Sequence, residues 1–209
     1  FGMQFQTWIT GHKGMNLLEL KDTPRVQNWN RILNLTRKNM LNGGNVFWHA
    51  WWCDWRGRFN TRSPNLGPQG DDLSKALLLF TEWKPMGERG RYWFYVKMYD
   101  LFNGQPHLKR NEPLSHEKKT FDEKEKWTQK HLSILLEKGA KPKHSESMEM
   151  IGLDTEPTQK SETFQRFATL LEFCRIHAEY DKYHDWDKVT SGLPIHLDAS
   201  CNGFQHMAA

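Results

Sequence analysis

Two stretches, far apart in the chain, carry side chains suited to chemistry on phosphates. The first is Asp54-Trp55-Arg56-Gly57-Arg58 and the second runs Leu193-Pro194-Ile195-His196-Leu197-Asp198-Ala199-Ser200-Cys201-Asn202-Gly203-Phe204-Gln205-His206. Arginine offers a planar fork of N–H donors that matches phosphate oxygens, so Arg56 and Arg58 on either side of Gly57 fit a site gripping a nucleic-acid backbone. Gly57 has no side chain and lets a strand or ligand come close. In the second stretch a lone carboxylate, Asp198, precedes a glycine-containing turn, a place where many enzymes hold a divalent cation. Taken singly, such an Asp is ordinarily a cap or turn former, and an Arg-Gly-Arg triplet an exposed turn.

The elements that must position these residues follow from periodicity. Leu193, Ile195 and Leu197 alternate with Pro194, His196 and Asp198, which predicts a strand burying the aliphatics and turning His196 and Asp198 to the other face. Ala199 to Gly203 reads as a turn, and Phe204 to Ala209 as the start of a helix. The aromatic run Val46 to Trp55 suits a strand delivering Asp54, Arg56 and Arg58 at its exit. Ahead of it, Trp29, Ile32, Leu33, Thr36 and Met40 follow helical spacing, with Pro24 before the start and Gly43-Gly44 at the end. His12 and Lys13, in a Gly-flanked stretch, read as a solvated loop, with a nucleic-acid contact as the alternative.

Beyond the turn-rich stretch Thr61 to Gly70, Asp71 or Asp72 can cap a helix with Leu73, Ala76, Leu77 and Phe80 on one stripe and Lys75 off it. Glu88 to Leu101 is predicted helical, with Tyr92, Tyr95, Val96 and Tyr99 on one side and Arg89 and Arg91 in its first turn. Trp127, His131, Ile134 and Leu135 give one amphipathic helix, while 138–161, poor in large apolar residues, reads as a loop or insertion with a solvated charged surface. Thr163 can cap a helix through Phe164, Phe167, Ala168, Leu171 and Cys174 that packs beside the Leu193 strand. Asp185 and Asp187, in the charged connection after it, are read as surface residues.

Asp198, Cys201, Gly203, Gln205 and His206 together resemble the first palm motif of the single-subunit, bacteriophage-type RNA polymerases, which include mitochondrial and chloroplast members. Asp54-Trp55-Arg56-Gly57-Arg58, with Pro68-Gln69-Gly70, Asp72 and Lys75, is similar to a second segment of that family, and Phe164, Ala168 and Glu172 fall where it has a Phe-x-x-x-Ala helix. The resemblance implies a helix-rich α+β fold, a partial palm of the right-hand polymerase type whose strands carry the Asp54 and Asp198 motifs. It divides the chain into a helical segment, 1–45, leading into a palm, 46–209, with a charged insertion at about 103–162.

What the resemblance implies for activity is template-directed transfer of nucleotides from ribonucleoside triphosphates, with a DNA template and an RNA transcript as partners. Asp198 becomes the catalytic metal ligand, joined by the carbonyl of Ala199, and two Mg²⁺ ions roughly 3.5–4 Å apart serve the attacking 3′-hydroxyl and the triphosphate. Gly203 leaves room for the ribose 2′-hydroxyl; Gln205 and His206 fix the turn and helix start; Arg56, Arg58 and Lys75 contact nucleic acid; Asp54 is structural. Two departures stand out: Ala199 where most members have Gly, and Asn60 where many have Tyr.

The chain begins at Phe1 and stops within a turn after Asp198, so it is expected to be an interior fragment, inactive alone. At 209 residues with net charge +4 and pI near 8.9 it suits polyanionic partners. Ten Trp residues offer stacking platforms, most of them expected in the core. A mean hydropathy of −0.80 and no long apolar run exclude a transmembrane helix. Cys53, Cys174 and Cys201 have no metal or disulfide spacing, which points to a reducing compartment. The expectation is a monomer in the mitochondrion, with a chloroplast or phage-infected cytoplasm as alternatives. Two other classes stay open: a non-catalytic nucleic-acid-binding remnant, and a metal-dependent phosphodiesterase using His196 and Asp198.

Overall fold

The computed structural model describes residues 30–32, 34, 38, 46–62, 66–103, 105, 119–142, 144–152 and 162–196. Among them the chain is a helix-rich α+β protein with two small two-stranded sheets. It divides into two compact units, one of residues 1–78 and 196–209 and one of residues 79–195. No helix among the described residues is long and apolar enough to cross a membrane.

In the first unit, residues 30–32, 34 and 38 are helical and Ile32 is fully buried, as its spacing from Trp29 and Leu33 predicts. His12, Lys13, Pro24, Gly43 and Gly44 lie outside the described residues. The aromatic run that follows is strand only at β1, Trp51–Cys53, which pairs antiparallel with β2, Phe59–Thr61, in the register Trp51↔Thr61, Trp52↔Asn60 and Cys53↔Phe59. The longer strand expected over 46–55 is thus cut short, and its rings are not core: Trp48, Trp51, Trp52, Trp55 and Phe59 are all exposed. A two-stranded ribbon buries rings only on a face that a second layer covers, and both faces of this one leave theirs open.

Gln69 lies along β2, its Nε2 donating to Phe59 O and its Oε1 accepting from Thr61 N, both at 2.8 Å. Asp71 then caps α1, Asp72–Ala76, with Oδ1 accepting from the Ser74 amide at 2.9 Å and from the Ser74 hydroxyl at 2.8 Å. The helix stops at Ala76 and does not reach Phe80, which is exposed. Phe80 N donates to Gly192 O at 2.7 Å, so the amide that would have extended the helix is committed to another segment.

The second unit is built around α2, Gly87–Phe102, which buries Phe94, Tyr95, Val96, Met98, Tyr99, Leu101 and Phe102. Against it pack α3, Phe121–Lys130, and α6, Thr163–Tyr183, the latter through Phe173, whose ring lies 6.1 Å from Phe94 and 5.8 Å from Tyr95. Thr120 and Glu123 form a capping box at the start of α3. The single helix expected through Trp127 and Leu135 is two, because His131 breaks the run: its Nδ1 lies 2.8 Å from Trp127 O and its ring stacks 4.2 Å from the Trp127 ring. The second is α4, Leu132–Ala140.

The stretch 138–161, expected as a loop or insertion, contains a helix, α5, Ser145–Ile151, which buries Met148, Met150 and Ile151 and ends on Gly152 at φ 81°. Three apolar residues on one short helix are enough to seat it even though the surrounding composition is polar. Thr163 does not cap α6; its hydroxyl donates to Gly152 O at 3.3 Å, and Glu162 occupies the cap position without a side-chain bond. After α6 the chain reverses at His184, φ 51°, and Trp186 folds back to stack 4.3 Å from Tyr180. There β4, Thr190–Ser191, pairs antiparallel with β3, Lys84–Pro85. The strand expected over 193–197 is absent from 192–196, and Leu197 lies outside the described residues.

Candidate nucleic-acid interface

Asp54 closes the loop that carries the paired arginines. Its N–H donates to Arg58 O and its carbonyl accepts from Gly57 N, both at 2.9 Å, with Gly57 left-handed at φ 72°. The carboxylate then ties the loop from inside: Oδ1 accepts from the amides of Arg56 and Arg58 at 2.9 Å each, and Oδ2 from Arg58 Nε at 3.0 Å. These bonds, the Arg58 amide foremost, hold the Asp54 carboxyl below its ordinary value.

The tip is therefore preset in shape and carries two guanidinium groups. Arg56 lies over the Trp55 ring at 4.4 Å and is exposed, a stack that orients the planar fork and leaves its donors available. Arg58 commits only Nε among the described residues. Asn60 Nδ2 donates to Arg58 O at 3.2 Å and so finishes the loop on its outgoing side. Lys75 is in the last turn of α1, half-buried, in the same unit as the hairpin. Asp198, Ala199, Cys201, Gly203, Gln205 and His206 lie outside the described residues. Among those described, no three His, Cys, Asp or Glu side chains are grouped to hold a metal ion. Asp185 accepts from the Asp187 amide and pairs with Lys188 at 3.6 Å.

The chain that leads toward Asp198 is held by the second unit. Glu172 on α6, only 2% exposed, accepts from the Ser191 hydroxyl at 2.6 Å and from Arg175 Nη2 at 2.8 Å through Oε1, and from Arg175 Nε at 2.8 Å through Oε2. Arg175 Nη2 also donates to Thr190 O, its Nη1 to Glu179 Oε2 at 3.1 Å, and its guanidinium lies over the Trp83 ring at 4.7 Å. Glu179 accepts from the Thr190 amide at 3.2 Å, and Lys97 on α2 donates to Pro194 O at 2.6 Å. The placement of Glu172 after Phe164 and Ala168 was readable in the sequence, but its partners were not. A carboxylate on an apolar stripe with an arginine three residues on looks like a surface pair.

The sequence model of the DNA-dependent RNA polymerase family matches residues 84–209, more than half of the chain. The chain belongs to that family. Relatives include DNA-directed RNA polymerase 2, chloroplastic/mitochondrial, of Arabidopsis thaliana, 27% identical over 85% of this chain and 15% of that protein. A probable DNA-directed RNA polymerase of Gelasinospora sp. (strain G114) is 31% identical over 75% of this chain and 15% of its own length. DNA-directed RNA polymerase 1B, mitochondrial, of Nicotiana tabacum is 26% identical over 78% and 14%. The chain thus spans only about one-seventh of the polymerases it resembles.

Proposed function

We propose that this chain is the part of a DNA-dependent RNA polymerase that supplies the first palm motif and an arginine hairpin for the nucleic acid. The observation that carries the reading is the family match over residues 84–209, the stretch that ends in the Asp198 motif. On this reading Asp198 is the catalytic carboxylate and, with the carbonyl of Ala199, offers the hard oxygen donors that Mg²⁺ prefers. Bound there, two such ions would supply activation of the 3′-hydroxyl and charge stabilisation on the triphosphate.

The chain's own residues bind and select. Arg56 and Arg58 take backbone phosphates of the template or of the RNA–DNA hybrid, in a loop whose shape Asp54 has already fixed. Lys75 adds a point charge to the same partner. Gly203 leaves space beside the ribose, favouring ribonucleotides, and Gln205 and His206 hold the turn that follows Asp198. Several relatives are named as chloroplastic or mitochondrial, which supports an organellar site of action, here read as the mitochondrion, with the enzyme working as a monomer.

Because the chain is a small part of such enzymes, the 209-residue piece alone is expected not to extend RNA. The test is template-directed extension by the complete polymerase chain with Asp198 intact and with Asp198→Asn. Loss of extension in the variant with template binding retained supports the reading. Extension by Asp198→Asn at the parent rate, or none by the parent, removes it.

A further inference from the structure

We propose that Trp52, set between Arg58 and Arg62 on one face of the β1–β2 ribbon, stacks a base of an unpaired nucleic-acid strand whose phosphates those arginines take. The proposal deepens the reading of the hairpin as a nucleic-acid contact, and rests on it. Its ground is the register of the ribbon. Residues paired across it share a face, and successive residues alternate between faces. Trp52 stands opposite Asn60. The ladder continues past both ends of the strands, with Asp54 N donating to Arg58 O at 2.9 Å and Arg62 N to Ala50 O at 2.8 Å. Arg58 and Arg62 therefore flank Asn60 on the Trp52 face, while Trp51, Cys53 and Phe59 fall on the other.

The charges on this face are uncompensated. Residues 46–62 hold three arginines and one acid, Asp54, and the Asp54 carboxylate is tied inside its own loop. Arg58 keeps its two terminal nitrogens clear of carboxylates, and Arg62 is exposed with no ion pair, among the described residues. The Trp52 ring between them is 45% exposed, with no other ring stacked on it among the described residues. A protein partner covering this ring would have to desolvate both guanidinium groups or bring acids to meet them. A nucleic acid meets them with phosphates it already carries. A duplex keeps its bases stacked on one another, whereas a single strand offers a π-face at every base, which suits a ring bordered by cations.

The experiment compares the complete polymerase chain with its Trp52→Ala, Trp52→Phe and Arg62→Ala variants, with thermal melts to confirm folding. Each is titrated with single-stranded DNA and RNA oligonucleotides of one sequence, and with an abasic copy of the DNA that keeps the phosphates and lacks the bases. Trp52→Ala should weaken binding of the base-bearing strand about tenfold and of the abasic strand by less than about twofold. Trp52→Phe, which keeps a ring, should recover at least half of that loss, and the larger effect of Trp52→Ala on DNA or on RNA tells which strand is bound there. Arg62→Ala should weaken base-bearing and abasic strands alike and reduce the salt slope of log K by about 0.7. An oligonucleotide carrying iodouracil should cross-link to Trp52 on irradiation. Parent-like binding by Trp52→Ala, an equal loss on the abasic strand, or no cross-link because the polymerase itself covers the ring, overturns the stacking role alone. If Arg56→Ala, Arg58→Ala and Arg62→Ala all bind as the parent does, the hairpin is no nucleic-acid contact and that reading falls together with the stacking role.

Discussion

The carboxylate of Glu172 and the hydroxyl of Ser191 lie 2.6 Å apart across nineteen residues of sequence, and the same carboxylate holds Arg175 by two nitrogens. Removing the acid strands a partly buried guanidinium and a strand hydroxyl together. Glu172→Ala should therefore cost about 2 kcal/mol of unfolding free energy, measured by urea titration. Arg175→Ala, which leaves the better-buried Glu172 unpaired, should cost at least as much.

The hairpin tip depends on Asp54 in a way that acid can switch off. Its pKa is depressed in the fold, so the stabilisation is fully present above the ordinary Asp value of 3.8 and disappears as pH falls through the lower folded value. Amide exchange, corrected for its intrinsic pH dependence, should show protection at Arg56 and Arg58 falling below pH 3.8. Asp54→Ala should lose that protection at neutral pH.

If the tip meets nucleic acid, Arg56 contributes a phosphate contact without any carboxylate competing for it among the described residues. Arg56→Ala in the complete chain should weaken template binding several-fold at 0.1 M salt and flatten the salt dependence of log K by about one unit. An unchanged salt slope would show that this guanidinium does not touch phosphate.

His177 is buried against Phe173 and Trp186, with Nε2 3.1 Å from the Tyr95 hydroxyl, and desolvation pushes its pKa down to about 4. Asp181 opposes this shift and Arg91 adds to it. The neutral ring is favoured by folding, so its contribution is complete above about pH 6.5 and is lost as pH falls from there toward 4, roughly 2–3 kcal/mol in all. Unfolding free energies of the parent and His177→Gln should converge over that interval.

At Gly139 on α4 there is no room for a side chain beside α6: a Cβ there would overlap Cys174 Sγ and sit 3.2 Å from Leu170 Cγ. Gly139→Ala should cost about 1–3 kcal/mol. Adding Cys174→Ala should restore part of it. Burial already pushes the Cys174 thiol up to about 11, so alkylation of this half-buried cysteine should be slow in the folded unit and speed up on unfolding.

What the sequence made legible was periodic. Phe164, Phe167 and Ala168 located α6, the Tyr95–Tyr99 stripe located α2, and Asp71 was one of two caps named for α1. What stayed hidden depended on partners distant in the chain. Phe80, expected on the stripe of α1, instead gives its amide to Gly192. The burial of Glu172 is decided by Ser191, and that of Trp186, in a charged stretch, by Tyr180. Aromatic content misled for the opposite reason, since Trp51 and Trp52 look like core and belong to a ribbon with open faces. The motif at Asp198 was reached through family resemblance and lies outside the described residues; of the Asp54 hairpin the sequence offered a first strand and the Arg56-Gly57-Arg58 turn, but not the pairing with β2.

The carboxamide of Gln69 has one more effect. By bonding both Phe59 O and Thr61 N it behaves as a surrogate neighbour strand, occupying the very groups through which a foreign chain would add to that side of the ribbon. So exposed an aromatic ribbon, left unguarded, would be a seed for aggregation; a single amide side chain keeps this flank closed to it.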